Sequence, residues 1–340
     1  MKMEKKFIIV TLLVGLLISC GKNGTDFETI QKEKITPLSA QTILTYKADS
    51  SYFYDIQLIN GHIFLLDDQN DTVLRMYNAS FDSGLQGYII RSREREGLWA
   101  PAFTKEVQLP NQEKPIILVD QSRWFKEIFH TKNSIACKQI QVNKEIGSSY
   151  NFNLTDTFLY ASSRYTGNKA FFYYQLDSGF YNVYQDTRLD TILPRADYAG
   201  TNNLCVYEAG NRVAVSYRYT NYLSFYELDG DLLKTIRIGN QNIKATVKQN
   251  EINTPVSTKC FIDMYGTAKY LYCAYSGSLD FSTNTKIHVF NWKGKYIKTL
   301  QLDSPIRKFC VDPNDQRLIA IIRDPNKGQR IIQYNLDASL

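Results

Sequence analysis

Arginine, tyrosine and threonine recur together in two loops of this chain. Ser163-Arg164-Tyr165-Thr166-Gly167-Asn168 matches Tyr217-Arg218-Tyr219-Thr220-Asn221 at a spacing of 54 residues. A guanidinium offers a planar fork of N–H donors that fits carboxylate and phosphate, and a neighbouring aromatic ring stacks on sugars or peptide side chains. Arg123 and Arg323 occupy the corresponding loops of other repeats, and Arg91, Arg93, Arg95 and Trp99 lie in a connection between repeats. If these loops share one face, Arg91, Arg93, Arg95, Trp99, Arg123, Arg164, Tyr165, Arg218, Tyr219 and Arg323 form a mouth for an anionic or ring-stacking ligand. The competing reading is that each arginine pairs with a nearby carboxylate or braces its own loop.

Other chemistry-bearing residues are sparser. His62, His130 and His288 are isolated and lack the close spacing of a zinc site. His288, in Lys286-Ile287-His288-Val289-Phe290, reads as a solvent-facing strand residue. Asp67-Asp68-Gln69-Asn70-Asp71 carries enough oxygen for a hard cation, but lacks the spacing and glycine of an EF-hand loop and reads first as a turn. Glu208, Asp263 and Asp312 recur at the ends of three first strands; a turn role comes first, and a cation site requires them to converge on an axis. No nucleophile elbow, P-loop or dinucleotide fingerprint is present. We therefore assign no catalytic residue, metal or cofactor. Beyond Cys20, the odd set Cys137, Cys205, Cys260, Cys273 and Cys310 argues against a complete disulfide framework. Cys260 and Cys273 flank the turn Gly266-Thr267-Ala268, so they either face each other across a hairpin or remain buried thiols.

These residues must be positioned by repeats. Phe225-Tyr226-Glu227-Leu228-Asp229-Gly230-Asp231-Leu232-Leu233-Lys234-Thr235-Ile236 returns as Val289-Phe290-Asn291-Trp292-Lys293-Gly294-Lys295-Tyr296-Ile297-Lys298-Thr299-Leu300. Each copy reads as strand, glycine turn, strand. With 24 Tyr, 18 Phe and many short alternating runs, the chain is expected to be all-β. An aromatic anchor ending a third strand can be followed through Tyr77, Phe129, Tyr174, Tyr226, Phe290 and Tyr334, at spacings of 52, 45, 52, 64 and 44 residues. Such spacings fit four-stranded blades, with a surface insertion over 239–258, and predict a six-bladed β-propeller. The last repeat, Ile306–Val311, Arg317–Ile322 and Arg330–Tyr334, lacks a fourth strand. The N-terminal stretch Ile35–Tyr46 is expected to supply it and close the ring.

Residues 1–19 read as a signal peptide: Lys2, Lys5 and Lys6 precede the apolar run Phe7–Ile18, which is shorter than the about 20 residues a membrane span needs. Leu17-Ile18-Ser19-Cys20 resembles a lipobox with Cys20 as the lipidated residue. Residues 20–34 then form a lipidated tether and 35–340 the propeller. Processing leaves 37 basic and 33 acidic residues, a balance that excludes a nucleic-acid footprint. With the lipobox, the Arg-Tyr-Thr loops and Leu65-Leu66-Asp67-Asp68-Gln69-Asn70-Asp71-Thr72-Val73-Leu74-Arg75-Met76-Tyr77, the chain resembles the TolB-like six-bladed β-propeller lipoproteins of Gram-negative bacteria over nearly its whole mature length. Members often carry a Gly-rich stretch with Glu before Pro after the first blade. Here that place reads Arg91-Ser92-Arg93-Glu94-Arg95-Glu96-Gly97-Leu98-Trp99-Ala100-Pro101 and keeps a Glu, one Gly and Pro101.

Gly21 after Cys20 implies, by the same resemblance, sorting to the outer membrane, with the periplasmic side favoured because no acidic cluster follows immediately. The expected function is a binding or scaffold module for an envelope protein, peptide or glycan, its membrane contact made through the N-terminal lipid. The alternatives are a structural subunit of an envelope complex and a metal-dependent, lactonase-like or glycan-active hydrolase.

Overall fold

The computed structural model describes residues 27–46, 51–81, 84–92, 98–105, 107, 116–120, 124–131, 134–141, 149–163, 169–324 and 328–336. Arg93, Arg95, Arg123, Arg164, Tyr165 and Cys20 lie outside them. The fold is an all-β propeller built from antiparallel meanders. The first sheet is β4 (Phe53–Ile59), β5 (His62–Asp67), β6 (Thr72–Asn78) and β7 (Leu85–Ile90). The second is β8 (Pro101–Phe103), β9 (Ile116–Asp120), β10 (Trp124–Thr131) and β11 (Ser134–Gln141). The third is β12 (Ser149–Leu154), β13 (Phe158–Ser163), β14 (Lys169–Gln175) and β15 (Tyr181–Gln185). Next come β16 (Asn202–Tyr207), β17 (Arg212–Tyr217), β18 (Tyr222–Tyr226) and β19 (Leu232–Ile238). A small hairpin, β20 (Val247–Lys248) and β21 (Glu251–Ile252), lies within the predicted insertion. It precedes β22 (Lys259–Gly266), β23 (Tyr270–Ser278), β24 (Lys286–Asn291) and β25 (Tyr296–Leu302). The last meander is β26 (Ile306–Val311), β27 (Arg317–Asp324) and β28 (Gly328–Asn335).

Local chemistry accounts for the hairpins. Asn60 and Gly61 both take positive φ, 51° and 74°, the pair that a two-residue turn matched to strand twist requires. Gly230 sits with φ 96° against the Tyr184 ring of the neighbouring sheet, where an added Cβ would collide. All six aromatic anchors fall on third strands: Tyr77 on β6, Phe129 on β10, Tyr174 on β14, Tyr226 on β18, Phe290 on β24 and Tyr334 on β28. Two anchors also reach across sheets. The Tyr226 hydroxyl donates to Asp186 just after β15 (3.0 Å), and the Tyr334 hydroxyl donates to Asp303 just after β25 (2.8 Å).

The N-terminal segment departs from expectation. Residues 35–46 read in sequence as a single closing strand, but they divide. β3 (Gln41–Tyr46) pairs antiparallel with β28, whereas β2 (Ile35–Leu38) pairs in parallel with β25 of the preceding sheet. Upstream, β1 (Glu28–Ile30), in what reads as tether, pairs in parallel with β19 one sheet further back. The segment is thus a strap across the outer edges of three sheets, pinned by the ion pairs Glu28–Lys234 and Glu33–Lys286.

Many of the described strands are buried almost throughout, β17, β18 and β22 among them. His288 corrects the solvent-facing reading for this reason. It is 0% exposed, and its Nδ1 lies 2.9 Å from Thr299 Oγ1. The cysteine alternatives also resolve: Cys205, Cys260, Cys273 and Cys310 are buried free thiols, and Cys273 stands opposite Met264 rather than Cys260.

Candidate functional site

In a four-stranded meander the start of strand one, the end of strand two, the start of strand three and the end of strand four share one end. Arg218, in the β17–β18 loop, Arg323, at the end of β27, and Arg91, just after β7, all lie at such ends. Phe281, in the β23–β24 loop, and Arg307, at the start of β26, join them. The Arg218 guanidinium carbon lies 5.9 Å from the Phe281 ring centroid and that of Arg307 lies 5.2 Å from the same centroid. Arg323 covers Tyr52, which precedes β4, at 5.1 Å. Three sheets thus meet at Phe281, and a fourth is reached through Tyr52.

The predicted residues divide. Arg91 braces its own loop: its guanidinium donates to the carbonyls of Trp99 and Asp67 and covers the Trp99 ring at 5.7 Å. Tyr219 is 7% exposed and packs with Tyr217 and Tyr222, so its ring serves the core rather than a stacking surface. Arg218 and Arg323 keep their guanidiniums at the loop end.

Below this rim lies a charged group that the sequence reading did not assemble. Asp55 on β4, Lys105 just after β8, Asp263 on β22 and Lys308 on β26 come from the first strands of four sheets, and β26 packs on both β22 and β4. The Lys105 ammonium donates to Asp263 Oδ1, and Lys308 Nζ reaches the same oxygen at 3.3 Å. Asp263 Oδ2 is buried with no partner. Burial pulls the Asp263 carboxyl up, but the two ammoniums outweigh it and hold it below the carboxylate range. Burial lowers Lys105, with Lys308 adding repulsion that Asp263 does not fully offset. Burial raises Asp55, only partly relieved by Lys308 and Lys105.

Convergence of Glu208, Asp263 and Asp312 is not found. Glu208 opens a short 3-10 turn, and Asp312 accepts the backbone N–H groups of Asn314 and Gln316 at 3.0 and 2.9 Å, a turn role. Asp263 alone lies within its strand, in the charged group. The acidic run after β5 is likewise a turn. Asp67 accepts N–H groups from Tyr52, Gln69 and Asn70 and pairs with Arg75 at 3.2 Å. The available signal for the buried group was a lysine or aspartate placed between apolar residues of a first strand, as in Ile262-Asp263-Met264 and in Lys308 before Phe309-Cys310-Val311.

Among the described residues no helix is long and apolar enough to cross a membrane. No curated protein matches the chain. A crystal structure of regucalcin, a calcium-binding protein from Agrobacterium tumefaciens strain C58, is similar at 9% identity with a TM-score of 0.50, covering 89% of this chain and 95% of that one. A member of the DUF4221 family from Bacteroides vulgatus ATCC 8482 is similar at 10% identity with a TM-score of 0.54, covering 87% and 97%. At these identities the likeness is one of fold. The TolB-like 6-blade propeller-like family matches residues 31–314, and this chain belongs to that family.

Proposed function

We propose that this protein is a lipoprotein of the cell envelope, anchored to the outer membrane through Cys20, whose propeller binds a protein, peptide or glycan at its loop end. In this reading the sheets are six blades of one ring, and β3 completes the last blade. The pairing of β3 with β28 supports the closure, and the signal-like residues 1–19 support the anchor. The observation that carries the binding role is that Arg218 and Arg307 meet over Phe281 and Arg323 covers Tyr52, with residues of four sheets at the same strand ends. Side chains distant in sequence that converge on a rigid scaffold are what a recognition surface requires.

Calcium binding, the property for which regucalcin is described, is not carried over to this chain. Asp263 Oδ1 is shared by two ammoniums, so a cation entering there would have to displace Lys105 and Lys308.

The test has two arms. Wild-type protein should fractionate with outer membranes and Cys20→Ala should appear in the soluble fraction; equal partition of the two would refute the anchor. Arg218→Glu combined with Arg323→Glu should abolish capture of an envelope fraction while leaving the melting temperature in place. Undiminished capture would move the binding surface elsewhere.

A further inference from the structure

We propose that Arg218 and Arg307, held over Phe281, form a site for a compact oxyanion of the phosphate or carboxylate kind. The inference rests on reading the loop end as the ligand-binding face and names the chemistry that this face selects.

Arg218 and Arg307 differ from four of the other described arginines, which spend their guanidiniums on acids. Arg75, Arg188, Arg212 and Arg317 each pair with a carboxylate, on Asp67, Asp186, Glu227 and Asp312, at 2.7–3.4 Å. Among the described residues neither Arg218 nor Arg307 has an ion pair within 4.0 Å or a side-chain hydrogen bond, so their N–H donors remain available. Both instead lie over one ring, which orients a guanidinium without using its donors.

Local charge favours an anion at the same place. Lys308, next to Arg307, shares Asp263 with Lys105, and with Asp55 the buried group balances two lysines against two aspartates, so it sets no excess of acid under the rim. The Lys259 ammonium, at the start of β22, is held by the carbonyls of Thr254 and Leu279 rather than by an acid. Asp280 is the acid adjacent in sequence to Phe281; it accepts the Ser282 N–H at 3.0 Å.

The backbone that carries these groups is rigid. Phe281 holds φ at 61°, a conformation rare for a bulky residue, with its N–H donated to Ser278 Oγ at 3.1 Å and its ring packed on the largest core cluster. The Arg218 backbone is fixed on both sides, donating to the Thr201 carbonyl (2.9 Å) and accepting from Cys260 N–H (2.7 Å). Cations placed in advance lose little freedom when an anion arrives.

The test uses the mature chain and titrates inorganic phosphate and citrate, with chloride at matched ionic strength as control. Saturable heats and a higher melting temperature are expected with phosphate or citrate and not with chloride. Arg218→Ala combined with Arg307→Ala should weaken binding at least tenfold while leaving the ion-free melting temperature close to that of the wild type. The double lysine variant should retain part of the affinity. Adding vesicles with and without phosphatidylglycerol separates a lipid-borne phosphate from a soluble one. Absence of saturable binding, or binding that the double alanine variant retains, overturns the site. Capture of the envelope fraction without any phosphate or citrate binding would remove this inference alone. Anion binding without capture would leave this site standing and remove the broader reading.

Discussion

Asp263 shows how one buried carboxylate can be worth more than its own bonds. Its Oδ1 holds the buried Lys105 ammonium and the part-exposed one of Lys308, so Asp263→Ala leaves them the Asp55 carboxyl but no bonded acid. Breaking a buried pair from one side costs about 3–5 kcal/mol, and denaturant unfolding of this variant should show a loss of that size. The triple replacement of Asp263, Lys105 and Lys308 by apolar residues of similar volume should recover most of it. Asp55 should behave oppositely. Its carboxyl is raised above its unfolded value of 3.8, so the folded state favours the protonated form and stability falls as pH rises through the window just above 3.8. Asp55→Asn should remove that slope and leave the protein as stable or more stable at neutral pH; a large loss would mean that the ionised form is needed. Asp263, held below 3.8, contributes stability present above that value and lost as pH falls through its folded value. The pairing was not legible in the sequence, because Lys105 and Asp263 are 158 residues apart and are brought together by which first strands face one another.

At the scale of elements, strands and turns were the legible part. The last repeat, read as Ile306–Val311, Arg317–Ile322 and Arg330–Tyr334, forms β26, β27 and β28 to within two residues, and each aromatic anchor is on the strand it was assigned to. The strap was not legible as built: β1 and β2 add to sheet edges in parallel through backbone bonds, which leave no side-chain period to read. His288 lies on β24 next to β25, the strand to which β2 adds, facing Thr299 and the Tyr275 ring, with Nε2 buried and unpartnered. Burial depresses it from 6.5 to about 4, against a smaller opposing effect of Glu33. The unfolded chain therefore binds the extra proton between those values, and stability should fall as pH drops from about 6.5 to 4, by ~3 kcal/mol in full. In His288→Gln that part of the pH profile should be flat. Deleting residues 27–46 should destabilise the whole domain, because one segment carries outer strands for three sheets. Glu33→Ala, which removes a half-exposed pair with Lys286, should cost less than about 1 kcal/mol. A deletion that melts at the wild-type temperature would show that the strap is an accessory.

For the whole molecule, the decisive contact joins the ends of the sheet sequence. Gln329 on β28 receives the Phe53 N–H on its Oε1 and donates its Nε2 to the Phe53 carbonyl at 2.8 Å, across 276 residues. Beside it, β26 and β27 pack on β4, so the last meander leans on the first. Gln329→Ala removes two buried hydrogen bonds and should cost about 1–3 kcal/mol. The manner of unfolding is more telling than its size. In a closed ring every sheet is covered by two others, and opening one seam uncovers two faces at once, so the sheets should unfold together. In an open array the seam would fray first. Cys205 on β16, Cys260 on β22, Cys273 on β23 and Cys310 on β26 are buried reporters placed in three different sheets, at increasing closeness to the Gln329 seam. Thiol labelling in mild denaturant should therefore modify all four at one rate in the wild type, and at one faster rate in Gln329→Ala. Labelling of Cys310 well ahead of Cys205 would mean that the last meander opens alone, and the proposal of a single closed ring would have to be given up.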